Sequence, residues 1–147
     1  MARAFPDAQL IMTHRDPVQT VPSYISLQAS LYQLNATLSD REVAAFWFPR
    51  LVEWMTRFQA ARERIGDDRF IDIDYRTVVQ QPAVEAELVL SRFGIPADAK
   101  VEAALTEFLA GNKREQRPMH DYSAERFGLT DETIKQAFAD YRARFIA

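Results

Sequence analysis

A chain of 147 residues with a formal net charge of -3 and a pI near 5.4 is the size of one domain and long enough to bury a core. That acidic balance gives no reason to expect a nucleic-acid partner, whose electrostatic footprint would be basic. No cysteine is present, which excludes disulfides, zinc-thiolate sites and cysteine nucleophiles, and the four dispersed glycines exclude a glycine-rich phosphate loop within the chain. Fifteen arginines against three lysines favour planar, bidentate anion contacts. No apolar run approaches a membrane span and no signal-peptide core opens the chain, so a cytoplasmic protein without a membrane span is expected.

In chain order, Phe5-Pro6-Asp7 turns into a short strand at about 9–14, whose Leu-Ile-Met centre is too short for a helix and suits a strand buried on both faces. A helix is expected from about 17 to 34, with Pro17 at its first position and Val21, Tyr24, Ile25, Leu27, Leu31 and Leu34 on its apolar side. Pro22 inside it predicts a bend or a later start. Ser39-Asp40-Arg41-Glu42 is a capping box, which starts a second helix at about 40 and carries it to about 65. Val43, Phe46, Trp47, Leu51, Trp54, Met55, Phe58 and Ala61 recur at helical spacing as a core stripe, with Arg50, Arg57, Arg62 and Arg64 assigned to the wetter sides. An acceptor or lipid surface is the less favoured reading of those aromatics. Pro49 is expected to kink or divide this helix.

After Gly66, the alternation of residues 69–75 predicts a second strand, parallel to the first because the intervening helical segments are long enough for a crossover. Asp72 and Asp74 share one face of it and read as solvated or ion-paired aspartates. Pro82 opens a helix to about 93, closed by Gly94, and another spans about 98–110. Residues 112–122 read as a basic loop, and a final helix runs from after Thr130 to about 145. The sum is one mostly helical α/β unit with two strands.

The passage from the first strand into the first helix outlines an anion site. Unpaired backbone N–H groups and the positive helix end gather at the C-terminal edge of a parallel strand. Arg15 stands there with a permanently charged planar fork, and Ser23, eight residues on, offers a hydroxyl donor. The competing reading is a surface ion pair between Arg15 and Asp16. His14-Arg15-Asp16 also matches the start of a protein-kinase catalytic loop, but Val21 stands where that loop requires Asn.

Taken together, Phe5-Pro6-Asp7-Ala8, His14-Arg15-Asp16-Pro17 through Ser23, Phe70-Ile71-Asp72-Ile73-Asp74-Tyr75, Phe93-Gly94-Ile95-Pro96, His120-Asp121-Tyr122-Ser123 and Phe127-Gly128-Leu129 resemble the C-terminal half of bacterial-type sulfotransferases. The resemblance implies a P-loop nucleotide-kinase-like parallel sheet with flanking helices, incomplete here, and a sulfuryl transfer from 3′-phosphoadenosine 5′-phosphosulfate to an acceptor hydroxyl or amine. It implies that Arg15 and Ser23 bind the donor's 3′-phosphate, that Tyr75 lies near the adenine, and that Lys113 and Arg114 belong to a basic loop over the 3′-phosphate.

Departures accompany the match. Arg76 and Thr77 follow Tyr75 where acidic residues are common, Pro22 precedes Ser23, and Glu115 and Gln116 stand where Gly and Lys are usual. The family's phosphosulfate loop and its Lys-x-Pro-x-His base precede the counterpart of Phe5, so the chain reads as a half-enzyme whose catalytic residue is unknown. His14 and His120 are expected to be structural. The expected partners are a nucleotide co-substrate and an unidentified small-molecule acceptor, with no metal, and with self-association or a complementing N-terminal half. The alternative function is a noncatalytic remnant acting as a nucleotide- or protein-binding helical module.

Overall fold

A computed structural model of the chain describes residues 4–34, 37–111 and 123–146. Two strands, β1 (Leu10–His14) and β2 (Phe70–Asp74), pair in parallel, with Leu10 opposite Phe70 and His14 opposite Asp74. Between them run α1 (Pro17–Tyr32) and α2 (Asp40–Ile65). After β2 come α3 (Tyr75–Gln80), α4 (Pro82–Arg92), α5 (Ala99–Gly111), α6 (Asp131–Ala137) and α7 (Ala139–Phe145). Two helices joining the strands supply the long crossover that a parallel pair needs. A mostly helical α/β arrangement around a parallel pair is the predicted class.

Local chemistry sets most helix ends. Asp16 caps α1 by accepting from the Val18 N–H, and Pro17 follows at a position where no donor is needed. Ser39 and Glu42 form the reciprocal capping box of α2, and Gly66, at φ +101°, ends it. Pro22 and Pro49 neither delay nor divide their helices: α1 begins at Pro17, and both helices run through their prolines as single segments. The Pro22 ring is fully buried, so packing compensates for the backbone bond that it cannot make.

The core lies between α1, α2 and the C-terminal helices. Val21, Ile25 and Ala29 meet Val43 and Ala44, and Phe127, Ile134 and Phe138 close the cluster. The stripe predicted for α1 is therefore only partly right, because Leu27, Leu31 and Leu34 are exposed. On α2, Trp47 packs edge-to-face against Tyr24, but Phe46 and Trp54 sit on the outer side of the same aromatic row and are about half exposed. The last predicted helix is two, α6 and α7, separated at Phe138, whose ring is buried in the core. Tyr75, expected to end the strand, instead opens α3, which is capped by the Asp74 carboxylate on the Arg76 N–H. Among the described residues no helix is long and apolar enough to cross a membrane.

Arg62 is the largest correction. Assigned to the wet side of α2, it is 4% exposed and lies beneath β2. Its fork grips both oxygens of Asp72 at 2.6 Å, its Nε donates to Asp67, and its plane stacks over Phe70 at 4.3 Å. A guanidinium tolerates such a place when all its donors are satisfied by opposite charge. Asp72 and Asp74 are ion-paired as read from the sequence, Asp72 with Arg62 and Asp74 with Arg76.

Candidate anion site at the end of the first strand

β1 delivers Arg15 to the mouth of a largely apolar cleft of about 400 Å³, which Tyr24, Met55, Tyr75 and Tyr141 also line. The Arg15 guanidinium lies over the Tyr75 ring, 4.7 Å from its centroid, and its Nε donates to Gln19 Oε1 at 3.0 Å. Gln19 and Ser23 are four residues apart on α1, so they follow one another on the same helix face. Arg15, Gln19 and Ser23 thus form a row of donors and acceptors leading from the strand end along the helix. Tyr75 joins Arg15, whereas Ser23 stands one turn beyond Gln19 and does not line the cleft. Lys113, Arg114 and His120 lie outside the described residues.

Asp16 does not neutralise its neighbour. Both of its oxygens are taken by Arg142 of α7, Oδ1 from Nε at 3.1 Å and Oδ2 from Nη2 at 2.9 Å. Burial works against the Asp16 carboxylate, but the Arg142 bonds and the Val18 N–H outweigh it and hold its pKa below the ordinary value. Asp74, at the end of the paired strand, is held by Arg76. Among the described residues no carboxylate pairs with Arg15, which leaves a guanidinium with charge available at the strand edge. The predicted alternative, an Arg15–Asp16 surface pair, is not what forms.

Beneath this turn lies a second, polar constellation. His14 is 2% exposed, with Nε2 2.7 Å from Asp72 Oδ1, Nδ1 2.9 Å from the Tyr141 hydroxyl, and its ring stacked on Phe145. A carboxylate only accepts, so Nε2 donates to Asp72, and in the neutral ring Nδ1 accepts from the Tyr141 hydroxyl. Burial pushes the Tyr141 phenol up to about 12, and the nearby Asp72 charge adds to the effect. The bonds from Arg62, aided by His14, hold the Asp72 carboxyl below its usual pKa against burial. A cavity of about 460 Å³ opens beside this network, yet its charges are already matched: Arg62 with Asp67 and Asp72, Arg144 with Asp67, and Asp74 with Arg76, while His14 donates to Asp72. This cluster anchors the strand end. Both His14 nitrogens are engaged, which fits the expected structural role.

Three participants were missed in the sequence. Gln19 carries a local signal, since it lies midway between Arg15 and Ser23 at helical spacing. Tyr141 and Arg142 carry none, being 127 and 126 residues from the side chains that they bond.

A family model described as the sulfotransferase family matches residues 1–99. The structure is similar to that of the sulfotransferase STF9 from Mycobacterium avium, with 28% identity over 99% of this chain and 38% of that one and a TM-score of 0.87. It is also similar to the sulfotransferase STF1 from Mycobacterium tuberculosis H37Rv, with 26% identity over 95% of this chain and 35% of that one and a TM-score of 0.69. The chain therefore spans less than two-fifths of either solved protein. No curated protein matches it.

Proposed function

The chain belongs to the sulfotransferase family, and from that premise we propose that its anion site holds the 3′-phosphate of 3′-phosphoadenosine 5′-phosphosulfate, within a sulfotransferase that passes the sulfuryl group to an acceptor hydroxyl or amine. The observation that carries this reading is Arg15: a strand-end guanidinium with no carboxylate partner among the described residues, oriented by Gln19 and backed by Tyr75. A phosphate matches the fork's geometry and charge. Ser23, farther along the same helix face, adds a hydroxyl donor for a second phosphate oxygen. Tyr75 offers a flat apolar face beside the cleft, suited to the purine.

In this reading the chain binds and orients the donor. The donor itself supplies the activated sulfuryl group. His14 takes no part in moving the acceptor's proton, because a base must reach that proton and both ring nitrogens are engaged in a buried network. Lys113 and Arg114 are proposed to add charge over the same phosphate.

Titration calorimetry with adenosine 3′,5′-bisphosphate, using adenosine 5′-monophosphate as control, tests the proposal on the chain and on Arg15→Ala. Binding that needs both the 3′-phosphate and Arg15 is expected. Equal binding of the two nucleotides, or none by the folded chain, would refute the assignment.

A further inference from the structure

The turn that presents Arg15 is held from the far end of the chain. His14 bonds to Tyr141 and stacks on Phe145, Asp16 is gripped through both oxygens by Arg142, and all three partners lie on the single short helix α7. α7 is also beyond residues 1–99, the part of the chain that the family model matches. Within this arrangement Asp16 is the carboxylate adjacent in sequence to the anion-binding cation. A free aspartate there could turn toward the adjacent Arg15 and compete with a phosphate for it, since opposite charges attract more strongly outside bulk water.

We infer that Arg142 is a positioning residue of the anion site: by occupying both oxygens of Asp16 it withholds that carboxylate from Arg15 and keeps the guanidinium available to a phosphate. The inference rests on the reading of Arg15 as the 3′-phosphate ligand. Two other cations act on Asp16 at longer range, Lys135 and Arg76, but neither is hydrogen-bonded to it as Arg142 is, and Glu132 acts on Arg142. The Asp16 side chain retains its second task, capping α1 through the Val18 N–H, which an asparagine can also perform.

That last point makes the electrostatic role separable from a structural one. In calorimetric titrations with adenosine 3′,5′-bisphosphate, Arg142→Gln should weaken binding about tenfold, because Asp16 is released toward Arg15. Adding Asp16→Asn to Arg142→Gln should restore affinity to within about threefold of the parent, and Asp16→Asn alone should bind at least as tightly as the parent. Loss of an ordinary structural strap would not be repaired by removing its second half. Unchanged affinity in Arg142→Gln, or a double variant as weak as the single one, would overturn the inference while the Arg15→Ala result leaves the site reading intact. If Arg142→Gln does not fold, Asp16→Asn decides by itself, since a loss as deep as that of Arg15→Ala overturns the inference. Absence of 3′-phosphate-dependent binding by the parent chain overturns the site reading and this inference together.

Discussion

Arg15 and Tyr75 leave β1 and β2 at the same edge of the sheet, and the guanidinium of one lies 4.7 Å from the ring centroid of the other. The contact places the cation by stacking and, with Nε given to Gln19, leaves the terminal Nη donors for an anion. Tyr75→Phe should therefore bind adenosine 3′,5′-bisphosphate nearly as the parent does, whereas Tyr75→Ala should lose about 1 kcal/mol, or roughly fivefold in affinity. Parallel titrations of the two variants check this, and equal losses would mean that the hydroxyl matters more than the ring.

Ser23 stands a turn beyond Gln19, with no hydrogen bond among the described residues that depends on its hydroxyl. Ser23→Ala should leave thermal stability unchanged, and it should weaken binding of the bisphosphate by about 1.5 kcal/mol if the hydroxyl reaches a phosphate oxygen. Unaltered affinity would remove Ser23 from the site and leave Arg15 and Gln19.

Asp72 couples stability to acid. Its pKa is depressed in the folded chain, first by Arg62, so the stabilisation is fully present above the unfolded value of about 3.9 and is lost as pH falls through the lower folded value. Asp72→Asn should cost about 2 kcal/mol at pH 7, less than a fully buried pair because the Asp72 side chain is 35% exposed. The cost should shrink on acidification below about pH 4. Chemical denaturation of parent and variant across that range measures it; a difference independent of pH would point to packing in place of charge.

Phe127 is fully buried in the cluster that joins α2 to the C-terminal helices. Phe127→Ala should lose about 3–5 kcal/mol by transfer and cavity formation together. Urea unfolding should show the midpoint fall, and a loss under about 1 kcal/mol would indicate that the C-terminal segment is not part of the cooperative unit.

The capping box offers a local control. Ser39→Ala should cost about 1 kcal/mol without touching nucleotide affinity, because among the described residues the Ser39 hydroxyl bonds only to Glu42 at the start of α2. A matching fall in affinity would mean that the start of α2 is coupled to the anion site.

The sequence by itself determined what is decided within a few residues. Ser39 and Glu42 set the start of α2 to the residue, Asp16-Pro17 opened α1, and the alternation from Phe70 marked β2, because caps, proline and strand periodicity act through neighbouring backbone groups. Arg15 was legible as a candidate anion ligand for the same reason. The tertiary structure alone decided which charges were already taken. Arg62 follows Phe58 by one helical turn and so lies on the inner face, but only the approach of Asp72 and Asp67 makes a buried guanidinium tolerable there. Likewise, Asp16 was adjacent to Arg15 in the chain yet paired with Arg142, 126 residues away. A linear pattern names the ionisable groups, but packing of distant elements selects their partners, and that selection is what leaves Arg15 with charge to offer.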